Sequence, residues 1–254
     1  MPSSTYSTFS IAPIGDSKHA ARLTVSQPPL NLVNGTFLTE LHNYLESLQR
    51  SPGTAPKVLV VSSGVPGIWI SHLDLHIVSA QYPLENKADA AHYLHLLGSV
   101  LHLFTVLPTV FIVEVNGLAV GGGMDVSALT KLIGPGRAME LMLSSRAVGH
   151  KEATRLGLVN RAADDEDHLR ELVDALATRI AVFPLGVIEG TKQSVRDCLD
   201  GRGSMRNDMQ LLGKLAHTAI AQKAVSAFNE HGEQYETKDM WELGLPDTAI
   251  EVWE

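Results

Sequence analysis

Phe111 to Ala128, FIVEVNGLAVGGGMDVSA, is the stretch from which the rest of the chain is read. An apolar β-branched run from Val110 to Val115 stops at Asn116-Gly117. Gly121, Gly122 and Gly123 then open a segment with helical spacing, which predicts a strand, a glycine turn and a helix N-terminus. Three consecutive glycines remove every Cβ where the first helical N–H groups lack partners, so a small electron-rich atom can reach the backbone there. This is how an anion or oxyanion site is built.

Two nucleotide-binding loops fail against this stretch. A P-loop requires Lys and then Ser or Thr after its last glycine, whereas Met124 and Asp125 follow here. The dinucleotide fingerprint requires a further glycine three residues after Gly123, and that position is Val126. A carboxylate beside the glycines also repels phosphate. The residues instead suit a site that stabilises negative charge developing on a carbonyl oxygen, with Asp125 at hand to move a proton.

A second unit has the same design. Lys57 to Val61, KVLVV, reads as a strand buried on both faces and runs into a glycine-containing loop, SSGVPGIWISHLDLH, that carries Asp74. Two such strands side by side bring both loops to one end of a sheet, where ligands usually bind, and one backbone N–H from each loop makes a pair. Residues 7–14 and 19–26 alternate as two strands about a turn at Gly15-Asp16-Ser17. Helices are expected over 36–50, 88–104, 137–144, 151–157, 169–182 and 186–198, with a long amphipathic region from Met205 to Asn229. The acidic run from Asp164 to Asp167 reads as a solvated helix start. His92, His95 and His102 share a helix stripe but lack a metal-binding pattern, so no metal is expected.

The 254 residues, 44 % of them hydrophobic, suffice for one substantial core with an appended subdomain. A net charge of −8 and a pI near 5.7 leave no basic stripe for nucleic acid. Cys198 is the only cysteine, which rules out an internal disulfide or a cysteine metal cage. No apolar run has the length of a membrane span, the N-terminal ten residues lack a signal core, and the last three are not a peroxisomal signal. A cytoplasmic protein is expected.

Taken in order, these stretches resemble the crotonase superfamily of enoyl-CoA hydratases and isomerases over most of the chain. The resemblance rests on PPLNLVNGTFLTEL, on the two glycine loops already quoted, and on KLIGPGRAMELMLSSRAVGHKEATRLGLVNRA. It implies an α/β fold, a spiral of strand-strand-helix units over residues 1–164, and a C-terminal helical oligomerisation subdomain over 165–254 that builds trimers or hexamers. It also implies an acyl-CoA thioester as substrate, its carbonyl oxygen held by the N–H groups of Leu73 and Gly122 while Asp125 moves protons. Ser71, His72, Asp74, Leu118, Gly121 and Gly123 are then expected to line the substrate, and no cofactor is needed beyond the coenzyme A of the substrate itself.

The chain departs from that family in three places. Asp125 stands where many members have Glu, shorter by ~1.5 Å. His72 stands where the first loop often has glycine, narrowing the mouth of the site. Between Asp125 and Leu132 only six residues remain where the family has two strands, a loop with a second catalytic Glu and a glycine-rich turn. Two expectations follow: a one-carboxylate enoyl-CoA isomerase or hydratase, or a subunit of the same fold that binds acyl-CoA without turning it over.

Overall fold

β3 (Val58–Ser63) is buried at every position, because both faces of the sheet to which it belongs are covered by helices. That four-stranded sheet has the order β1-β2-β3-β5, with β1 at Phe9–Pro13, β2 at Ala20–Val25 and β5 at Val110–Val113. β1 runs antiparallel to β2, whereas β2, β3 and β5 are mutually parallel, with Val58 opposite Ala20 on one side and Val110 on the other. The computed structural model describes residues 6–77, 87–119, 126–144, 146–223 and 226.

The two-residue period of the strands assigns their side chains to layers. Leu23, Val25, Leu59, Val61 and Phe111 point to one face, where they meet α1 (Gly35–Arg50) and α2 (Lys87–Val106). Ala20, Val58, Val60, Val110 and Ile112 point to the other face and meet Val173, Ala177 and Ala181 of α6 (Glu166–Ala181). α1 starts where the Asn34 side chain accepts the Phe37 N–H at 2.9 Å, and it buries Phe37, Leu41, Tyr44, Leu45 and Leu48 along one face. The acidic run does start a helix: Asp165 caps α6, accepting the His168 N–H at 2.8 Å, with Glu166 and Asp167 in the first turn.

Beyond the sheet, α3 (Val126–Ile133) and α4 (Pro135–Ser144) pack Leu129, Ile133, Ala138 and Leu141 together, with Leu156 of α5 (His150–Leu156) against them. α7 (Leu185–Leu199) lies against α8 (Met205–Ala216), where a Cβ on Gly190 would come within 3.1 Å of Leu211. The amphipathic region from Met205 is helical but interrupted within the described residues. α8 ends at Ala216 with His217 as its C-cap, and Thr218 starts a new turn by accepting the Ala221 N–H at 3.3 Å, a hydroxyl cap that hydropathy patterning does not reveal.

Lysines close two helix ends. Lys57, just before β3, donates to Ala181 O at 3.0 Å and Phe183 O at 2.9 Å, while Lys192 of α7 donates to Leu107 O and Thr109 O, both at 2.7 Å. The Ala181, Phe183 and Leu107 carbonyls lie at or just past the ends of α6 and α2, and Thr109 O stands at the entry to β5.

Candidate active site

β3 and β5 are parallel neighbours, so the loops that follow them leave the sheet at the same end, as the paired sequence units predict. The loops then pair with each other. β4 (Gly67–Ile68) runs parallel to β6 (Gly117–Leu118), and the Trp69 N–H extends the ladder to Leu118 O at 3.0 Å. The approach is close enough to require glycine: a Cβ on Gly117 would stand 2.4 Å from Ile68 N and 2.5 Å from Gly67 C.

Side-chain amides and one serine hold this junction where the main ladder ends. Asn116 accepts the Ser63 N–H at 3.3 Å and donates to Ser63 O at 3.0 Å, acting as a substitute strand partner. The Ser63 hydroxyl donates to Ile68 O at 2.5 Å and accepts the Val65 N–H at 3.0 Å. Asn31, buried and with φ at +47°, donates to Ser63 Oγ at 2.7 Å and Trp69 O at 3.0 Å. None of these carries an obvious sequence signal except Asn116, which stands in an Asn-Gly pair.

The first loop continues to the residues expected at the substrate. Leu73 forms a parallel bridge with Val33, made by the Val33 N–H to His72 O and the Asp74 N–H to Val33 O, both at 3.0 Å. In this geometry Val33 uses both of its backbone groups, whereas the N–H and C=O of Leu73 point away from it. Among the described residues the Leu73 N–H has no acceptor. The Leu73 C=O receives His72 Nδ1 at 2.8 Å. Asp74 fixes the loop, accepting the His76 N–H at 3.0 Å and His76 Nδ1 at 2.8 Å on one carboxylate oxygen. Ser71 is buried, and Leu118 is exposed beside the β4–β6 junction. Gly121, Gly122, Gly123 and Asp125 lie outside the described residues.

A buried ion network lies under the second loop and was not anticipated. Glu114, fully buried at the end of β5, is paired with Arg22 of β2, which also pairs with Asp174 of α6, while Arg170 reaches Glu114 at 3.5 Å. The two-residue period places Arg22 and Glu114 on the α6 face of the sheet. The only signal in the sequence is an acid inside the apolar run from Phe111 to Val115. A cleft of about 360 Å³ between α4 and α5 contains Arg137, Arg146 and Arg155, but Arg146 is taken up by Glu140 at 3.1 Å and Glu152 at 3.0 Å. It does not include the paired loops.

No family model matches the chain. A probable enoyl-CoA hydratase, echA12 of Mycobacterium tuberculosis, is 31% identical over 259 residues, covering 86% of this chain and 90% of the relative. The chain belongs to the enoyl-CoA hydratase family of the crotonase superfamily. Among solved structures, DspI of Pseudomonas aeruginosa superposes with a TM-score of 0.76 at 20% identity, over 91% of this chain and 97% of the other. The enoyl-CoA hydratase of Bacillus anthracis gives 0.74 at 19%, over 88% and 96%. Both likenesses establish the crotonase fold. The echA12 alignment takes in 86% of 254 residues, about 218, so about 40 of its 259 positions carry no residue of this crotonase-family chain.

Proposed function

We propose that this protein processes acyl-CoA thioesters as an enoyl-CoA isomerase or hydratase, stabilising a thioester enolate at the junction of its two loops. The unpaired Leu73 N–H, projected away from Val33 by the bridge on either side of it, carries this reading. A backbone donor held by its neighbours costs little reorganisation when charge develops on the thioester oxygen, which is the requirement for an oxyanion hole. Gly122 supplies the second N–H and Asp125 the proton transfer, as the family resemblance implies. The substrate brings its own coenzyme A, so no further cofactor takes part. A homotrimer or hexamer is the expected assembly.

Isomerisation suits this inventory better than hydration. One carboxylate removes a proton from one carbon and returns it to another, whereas hydration asks for two groups to handle the water. The short stretch between Asp125 and Leu132, which lacks the family's second acid, favours a second reading, an acyl-CoA-binding subunit without turnover. Incubation with 2-enoyl-CoA and 3-enoyl-CoA thioesters, followed by conjugated-enone absorbance and product mass, separates the two. Turnover abolished by Asp125→Asn supports the enzyme, and product mass distinguishes the two reactions. A folded chain that binds acyl-CoA and converts neither substrate refutes the enzyme reading.

A further inference from the structure

The geometry points to His72 as a catalytic acid–base that takes and returns the acyl proton beside the Leu73 N–H. This inference rests on the proposed thioester chemistry and divides its proton transfer: His72 exchanges the proton on the carbon next to the thioester, which the one-carboxylate reading gives to Asp125, and in isomerisation Asp125 delivers the proton at the distal carbon.

In an extended segment the N–H and C=O of a single residue lie on the same edge. Val33 occupies one edge of the 72–74 segment through His72 O and the Asp74 N–H, so both groups of Leu73 lie on the other. The His72 ring is bonded to the Leu73 C=O at 2.8 Å, and the imidazole therefore stands on the same edge as the free Leu73 N–H. A carbonyl only accepts, so the hydrogen in that bond is on Nδ1 and the neutral ring carries its lone pair on Nε2. Nε2 has no partner among the described residues, and the ring is half-buried. A fixed tautomer, an available basic nitrogen and an adjacent oxyanion donor are the parts that proton abstraction next to a carbonyl requires. The other imidazole of the loop is placed differently: His76 is held by Asp74 at 2.8 Å, with its side chain 65% exposed to water.

The step is a proton transfer. Nε2 takes a proton from the carbon next to the thioester, the C–H electron pair moves into the enolate, and the thioester oxygen accepts from the Leu73 N–H. The imidazolium then returns a proton to carbon, and the enolate collapses to the thioester. In heavy water the hydrogen held on Nε2 exchanges with solvent before the return, and the carbon acquires deuterium.

The test is deuterium incorporation into butyryl-CoA, read by mass spectrometry with the full chain, alongside turnover of 3-enoyl-CoA. Asn at position 72 places an amide N–H where Nδ1 stands and keeps the bond to Leu73 O while removing Nε2. His72→Asn is expected to slow exchange and turnover by about 100-fold or more, with acyl-CoA affinity changed no more than a few-fold. His72→Gly is expected to lose the same activity and to recover part of it with added imidazole, a result that loss of structure does not give. Exchange and turnover retained in His72→Asn, or no imidazole rescue of His72→Gly, overturns the role of His72 while leaving the enzyme reading intact. A wild-type chain with neither exchange nor turnover overturns both.

Discussion

Glu114→Gln removes one charge from the buried network while preserving the side chain's size, and its cost follows from the exposures of its partners. Glu114 is fully buried and the Arg22 side chain is 8% exposed, whereas Asp174 and Arg170 are 38% and 45% exposed. Removing one partner of a fully buried pair typically costs about 3–5 kcal/mol, because the other charge stays desolvated. Arg22 retains Asp174, which returns part of that, so we expect a loss of about 2–3 kcal/mol. In a chain of this size that lowers Tm by about 5–10 °C. Arg170→Gln breaks only a half-exposed contact and is expected to cost less than about 1 kcal/mol. Urea unfolding followed by circular dichroism at constant m-value measures both. Equal losses in the two variants, or less than about 1 kcal/mol for Glu114→Gln, would refute the assignment of the burden to the desolvated Arg22–Glu114 pair.

Two further predictions address the junction and the helix caps. Gly117→Ala forces a Cβ to within 2.4 Å of Ile68 N, so the β4–β6 pair must separate; we expect a folded chain whose acyl-CoA affinity or turnover falls by ~100-fold, and wild-type values would show that the pairing does not set the site. The Lys192 ammonium is pulled down to about 8, first by burial and then by the Arg196 charge, in opposition to its carbonyl partners. The folded state therefore binds the proton less readily than the unfolded chain does. The penalty is fully present below about pH 8 and is relieved as pH rises from there toward the ordinary lysine value of 10.5. Relative to Lys192→Met, the wild type should gain stability between pH 7.5 and 9.5 in urea titrations, and a flat or falling difference contradicts that sign.

The strand-and-loop framework was legible because it is written locally. KVLVV is a run that only a sheet covered on both faces would bury, and Asn116-Gly117 ends the next strand with a turn pair; the structure places the two strands as parallel neighbours with Val58 opposite Val110. What holds the site was less legible because it is written across distance. Asn31 reaches Ser63 and Trp69, and Arg22 reaches Glu114, through pairings that no spacing within a short window encodes. The Gly117 position read as a turn, yet its stronger constraint comes from the backbone at Gly67 and Ile68, fifty residues earlier in the chain. The break at His217 escaped for the opposite reason, since a single hydroxyl at Thr218 overrides an apolar pattern that continues through it.

The separation of the ion network along the chain also sets an order in time. Arg22 leaves the ribosome long before its counter-charges, which follow 92 residues later at Glu114 and 152 later at Asp174. Until both have been synthesised, closing the sheet around Arg22 would strand a cation in an apolar layer, so the growing chain gains by keeping that end of β2 wet. The β4–β6 junction needs Gly117, which emerges just after Glu114, and α6 brings Asp174 only later. Charge balance thus orders assembly along the chain: the layer around Arg22 can close without a stranded cation only after Asp174 has followed it by 152 residues.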